Sequence, residues 1–254
     1  MAAGERVSGM GSALLWGAVA GAANLIGSFI VLAIALPQRL IAYVMALGTG
    51  ALIGAVCFEL LAEALELGDF LDIAFGFLGG AALFTVFDLI VTNRGGMHRK
   101  RSGHGADKPV HSDEGTGLAI FIGTVMDALP ETAMIGLGIA QGGGVGIALI
   151  AAIFISNLPE GISSTTGLRK SGYSIEKILF MWTFVLLASA ASSLFGYAVL
   201  NEASESTHAI VSSFAAGAIV AMIASTMMPE AHEKGGPMVG LITACGVFIT
   251  LLLG

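Results

Sequence analysis

Apolar residues run along this chain in long unbroken stretches, without the alternation of a half-buried strand or the single stripe of a surface helix, and the polar positions collect between the stretches. A bilayer-spanning helix needs roughly 20 mostly apolar residues. Eight stretches qualify: residues 11–35, 40–66, 71–92, 116–140, 145–168, 177–200, 209–231 and 237–253. The pattern predicts an all-α, polytopic membrane protein of eight transmembrane helices, with one transmembrane domain over residues 1–254 and a flexible cytoplasmic loop at 93–115. The first stretch is read as a helix and not as a signal peptide. It stays uncharged and mostly apolar to Leu36, past a signal's roughly 7–15-residue core, and its start lacks net positive charge.

Composition agrees. Of 254 residues, 56% are hydrophobic and 11% charged, with a mean hydropathy of +0.88. An average soluble domain is roughly a quarter charged, so a water-soluble globule is excluded, as is disorder. Eleven Lys and Arg against 18 Asp and Glu leave no basic surface for nucleic acid. Cys57 and Cys245 lie inside apolar runs, which excludes a disulfide framework and a cysteine-based zinc module. Cys57 reads as a small core residue.

Charge sets the expected orientation. Arg39, Arg94, Arg99, Lys100, Arg101, Lys108, Arg169, Lys170, Lys177 and Lys234 fall on one side of the eight-span arrangement, and only Arg6 falls on the other. By the positive-inside rule both termini are extracytoplasmic. The outer side carries Glu66, Asp69, Asp72, Glu202 and Glu205, acids that raise the local cation concentration or are simply solvated loop tips. Glycine pairs spaced i, i+4, namely Gly17/Gly21, Gly50/Gly54 and Gly76/Gly80, allow close helix approach in lipid.

The second and seventh stretches align without a gap. Gly50 meets Gly217, Ala51 meets Ala218, Glu63 meets Glu230, Ala64 meets Ala231 and Glu66 meets Glu233. Between them lie Leu129-Pro130-Glu131 on the fourth helix and Leu158-Pro159-Glu160 on the fifth. This predicts a 3+2+3 inverted repeat, with helices 1–3 related to 6–8 and helices 4 and 5 on the axis. Helices interrupted by proline at matching places in such repeats, as expected here at Pro130 and Pro159, point to a transport site near the midplane.

Acids in the middle of these helices need a reason to be there. An Asp at the centre of a membrane helix costs about 2.5–3.5 kcal/mol on insertion scales. Asp127 and Glu131 are one turn apart on one face of helix 4, and Ser156, Asn157 and Glu160 lie at similar depth on helix 5. No Lys, Arg or His falls at that level of the eight stretches, which leaves a cation, water or the acids' own protons as partners. Each proline frees the carbonyl four residues back, at Met126 and Ile155, tolerable in a membrane where it lines a cavity or is buried in protein. The result is an oxygen-rich set suited to a divalent cation; a kinked helix pair with protonated, inter-bonded carboxyls is the structural alternative. Glu59, Glu63, Asp88, Glu230 and Glu233 lie toward helix ends, where they either line the mouths of a pathway or reach water. Met126, Met134, Met222, Met227 and Met228 read as packing. His98, His104 and His111 in the 3–4 loop fit no compact zinc fold. His232-Glu233-Lys234 begins like a metalloprotease His-Glu-x-x-His, but residue 236 is Gly.

The eight spans, outer termini, His-bearing 3–4 loop and Pro-Glu motifs on helices 4 and 5 resemble the ZIP (Zrt-, Irt-like) metal transporters over essentially the whole chain. In that family helix 4 typically reads His-Asn-x-Pro-Glu-Gly. The resemblance implies that Asp127, Glu131, Ser156, Asn157 and Glu160 occupy metal-ligand positions, with Glu131 and Glu160 matching directly. Asp127 stands in place of the family's His, Ala128 of its Asn, Thr132 of its Gly, and Ser156 of a His, Gln or Glu. Zinc is the family expectation, and oxygen donors in place of nitrogen favour manganese, iron(II) or magnesium. The implied function is inward divalent-metal transport by alternating access, with the metal as cargo, no cofactor, and no enzyme activity. The implied partners are metal ions and the lipid bilayer of the cell membrane; no nucleic acid is expected, and a homodimer is left open. A sodium/calcium-exchanger-like antiporter, an intramembrane enzyme whose carboxyls share a proton and a non-transporting metal sensor remain alternatives.

Overall fold

The computed structural model describes residues 3–93, 114–140, 146–200 and 203–253, and there every regular element is helical. In chain order these are α1 (Ala3–Ala33), α2 (Gln38–Ala55), α3 (Leu61–Leu67), α4 (Phe70–Asn93), α5 (Glu114–Ala140), α6 (Ile147–Lys170), α7 (Ile175–Leu200), α8 (Glu205–Met222), α9 (Met228–Gly235) and α10 (Met238–Leu253). A π-helical turn, Val56–Leu60, joins α2 to α3, and a second, Ile223–Met227, joins α8 to α9.

Six helices among the described residues are long and apolar enough to cross a membrane: Arg6–Ala33, Gln38–Leu67, Phe70–Val91, Ile147–Lys170, Ile175–Leu200 and Glu205–Gly235. Their outward faces are apolar, with Phe75, Phe180 and Phe195 among the large exposed side chains, while Asn24, Thr49, Asn157, Ser189 and Ser212 are buried. That arrangement, polar groups in and hydrocarbon out, suits a protein whose solvent is lipid. Local chemistry sets several boundaries. Pro37 precedes α2, Ser204 caps α8 by accepting the Thr207 N–H, and Gly236 ends α9 at φ +70°, a backbone region that favours glycine.

Packing divides the helices into two groups. In one, α1, α5, α6 and α7 pack on each other; in the other, α2 and α3 pack with α4, α8, α9 and α10. The groups meet where α2 lies on α6 and α5 touches α8. The glycine pairs lie in these contacts. A Cβ on Gly17 or Gly21 would strike Ser193 or Ser189 at 2.5 and 2.7 Å, so α1 and α7 run antiparallel. Gly50 abuts Thr243 and Gly54 abuts Thr250, so α2 and α10 run parallel; Gly76 and Gly80 abut Ile210 and Phe214, so α4 and α8 also run parallel.

The gapless alignment that pairs Glu63 with Glu230 also pairs Gln38 with Glu205, the first residues of α2 and α8. It pairs Val56–Leu60 with Ile223–Met227, residue for residue. Packing repeats the correspondence. Gly246 of α10 sits against Leu47 and Ala51 of α2, and Gly80 of α4 against Phe214 and Ala218 of α8, which are the partners of Leu47 and Ala51 in that alignment.

Two readings need correction. Cys57 is exposed, not in the core: it falls in the π-helical turn, on the outward side of the helix. The prolines do not break their helices, since α5 runs through Pro130 and α6 through Pro159. The expected loop lies almost wholly outside the described residues, and with it Arg94, His98, His104 and His111.

Candidate functional site

Helix α5 presents Asp127 and Glu131, each 1% exposed, near its middle. Helix α6 presents Ser156, Asn157 and Glu160, also buried, near its own middle. The two are consecutive antiparallel helices, and the Thr124 and Ser164 hydroxyls meet across them at 3.1 Å. That contact sets a register in which Asp127 lies level with Gly161, beside Glu160, and Glu131 lies level with Asn157. All five expected ligand residues are thus interior and share one zone of the bundle.

They do not form a finished metal cage. Among the described residues, no three His, Cys, Asp or Glu side chains come close enough together to hold a metal ion. The Ser156 hydroxyl is turned into its own helix, donating to the Ile153 carbonyl at 2.9 Å. The Ile155 carbonyl, expected as a free ligand, lies against the backbone of Gly48 on α2. The Leu129 carbonyl accepts the Ser192 hydroxyl of α7 at 2.7 Å.

Other polar groups stand beside the acids. Helix α1 crosses α6 at Pro159, with Gly27 against the Leu158 carbonyl and Gly161 against the Asn24 backbone. Asn24 and Ser28 are there fully buried, and neither the amide of Asn24 nor that of Asn157 has a hydrogen-bond partner among the described residues. Neither α1 residue is among the expected ligands. The available signal was a lone Asn in an apolar run, with Ser one turn on.

A cleft of about 250 Å³ opens at one end of the α5–α6 pair, lined by Glu59, Glu63, Met134, Gly138, Gly146 and Leu149, among others. Met134 and Gly138 continue the face of α5 that carries Asp127 and Glu131. Glu59 and Glu63, both half-buried, border the cleft at the end of that face. Leu52, Val56 and Ile153 belong to the same buried apolar cluster as the cleft residues Met134, Leu149 and Ile150.

The remaining acids separate. Asp88 is half-buried on α4 and Glu233 is exposed on α9. Glu230 is buried, 3% exposed, and ion-paired with Lys234 at 2.6 Å. It does not reach water, because α9 continues to Gly235 and keeps Lys234 one turn away on the same face. Lys234, expected in a connection, thus brings a positive charge onto the buried Glu230. Met134, Met222 and Met227 are core residues. The chain matches no protein-family model, and no curated protein matches it.

Proposed function

We propose that the protein is a divalent-cation transporter of the ZIP kind in the cell membrane. In this reading eight helices span the bilayer as a 3+2+3 inverted repeat with both termini outside. Zinc, manganese or iron(II) moves inward as one helix group shifts against the other. Several observations support it. The packed pairs run in the directions that eight alternating spans require: α1 against α7, α2 along α10, α4 along α8. The two π-helical turns fall at matching places in the aligned helices.

The observation that carries the function is the burial of Asp127, Glu131 and Glu160 at the middle of two packed helices. Carboxylates withdrawn from water are held only by a cation, a proton or strong hydrogen bonds. Their position below a cleft bordered by Glu59 and Glu63 favours the cation. The carboxylates come from both helices of a hairpin, and Asn157 adds a neutral oxygen. A divalent ion entering the site would draw these donors into the oxygen-rich set that manganese, iron(II) or zinc accepts. Purified protein in proteoliposomes tests this. Uptake of Zn²⁺ or Mn²⁺ is expected to fall to less than a tenth in Asp127→Ala and Glu131→Ala; unchanged uptake in both variants rejects the reading.

A further inference from the structure

The proposed transport site leaves one buried charged group unused. The Glu230 Oε1 accepts a hydrogen bond from the Ser163 hydroxyl at 2.5 Å and another from the Lys234 ammonium at 2.6 Å. Its Oε2 has no hydrogen-bond partner among the described residues. The side chains of Lys234 and Glu230 are 7% and 2% exposed. A buried ion pair is a poor source of stability, since desolvation offsets most of its attraction.

Its place in the fold gives it a use. Ser163 belongs to α6, one turn past Glu160, and Glu230 to α9 in the other helix group. Their hydrogen bond therefore ties the two groups together. It lies about 25 Å along α6 from Gly146 at the cleft, taking 1.5 Å per helical residue.

The internal correspondences add a comparison. Glu230 pairs with Glu63, and the spacing that superposes Pro159 on Pro130 pairs Ser163 with Met134. Glu63 and Met134 both line the cleft, whereas Glu230 and Ser163 are in direct contact. One boundary between the same two groups is open at one end and shut at the other. The counterpart of Lys234 is Leu67, so the ammonium is found only at the shut end.

We propose that the Lys234–Glu230–Ser163 contact is the inner gate of the transporter, with the Lys234 ammonium filling a cation position on Glu230. Opening parts Ser163 from Glu230, and the departing divalent cation takes the place of Lys234 on that carboxylate. The inference rests on the transport reading, but its test does not need flux. Ser163→Cys is placed in full-length protein carrying Cys57→Ala and Cys245→Ala, since both native thiols are exposed. Its rate of alkylation by a small maleimide is then measured in detergent. The rate is expected to be slow with Lys234 or Lys234→Arg and at least tenfold faster with Lys234→Met or with Lys234→Met/Glu230→Gln. Manganese(II) chloride is expected to accelerate alkylation when Lys234 is present. Equal rates with Lys234 and Lys234→Met overturn the gate, and no response to manganese overturns the cation position on Glu230. Should the lysine variants fail to fold, the manganese response in the Lys234 protein decides alone. Failure of the transport reading shows separately, as uptake indifferent to Asp127→Ala and Glu131→Ala.

Discussion

Gly48 offers a quantitative test of the boundary between the two helix groups. A methyl group at this position would lie 2.6 Å from the Ser156 Cα, 2.8 Å from its nitrogen and 2.9 Å from the Ile155 carbonyl oxygen. All three are backbone atoms, so no side chain can swing aside; α2 and α6 must separate. Overpacking of this kind costs about 1–3 kcal/mol. Alanine's better helix propensity returns about 1 kcal/mol, so Gly48→Ala should destabilise this conformation by up to about 2 kcal/mol. Gly240 on α10 is the control, because a Cβ there meets nothing within 4 Å. Gly240→Ala should leave stability unchanged or raise it by at most about 1 kcal/mol. Thermal unfolding in detergent, followed by the fluorescence of Trp16 and Trp182, compares the two. Since 1.4 kcal/mol is about a factor of ten in a population, Gly48→Ala should also alter uptake in proteoliposomes, as its contact joins the groups proposed to move. A Gly48→Ala protein that melts at or above the wild-type temperature would refute the packing argument.

Two further outcomes follow from other contacts. The Trp182 indole, fully buried, donates to the Thr165 hydroxyl at 2.8 Å; Thr165→Val should cost about 1–3 kcal/mol by stranding that donor, and Thr165→Ser should retain most of it. If Glu59 and Glu63 gather cations over the cleft, then Glu59→Gln/Glu63→Gln should raise the apparent KM several-fold at low ionic strength, with little change in maximal rate. The difference should shrink in 0.5 M salt as screening removes it; a KM difference independent of salt would count against gathering by charge.

Much of the architecture could be read from residue order because a membrane helix must be apolar over a fixed length. The expected 40–66 and 177–200 became Gln38–Leu67 and Ile175–Leu200. The first helix starts at Ala3 instead of residue 11, since Gly4, Glu5 and Arg6 can remain helical outside an apolar window. Small-residue spacing led directly to the contacts of Gly17, Gly50 and Gly76. The interior of Asp127, Glu131 and Glu160 was legible for the same reason, an acid being costly in lipid. What escaped were features decided by partners far along the chain. A π-helical turn has no local signature, and Cys57 within it faces outward. Lys234 reads as a loop cation until α9 brings it onto Glu230. Asn24 and Ser28 gain importance only because α1 crosses α6 at Pro159.

The two π-helical turns also separate chain length from helix phase. Each holds about one residue more than an α-helix of the same reach, and one residue is worth about 100° of rotation. Deleting a single residue within Ile223–Met227 would restore ordinary pitch and swing Glu230 about a quarter-turn away from Ser163, while Gly217 kept its seat against Phe77. One surplus residue in each of these two helices thus lets it anchor to its neighbour with one face and offer its acids with another.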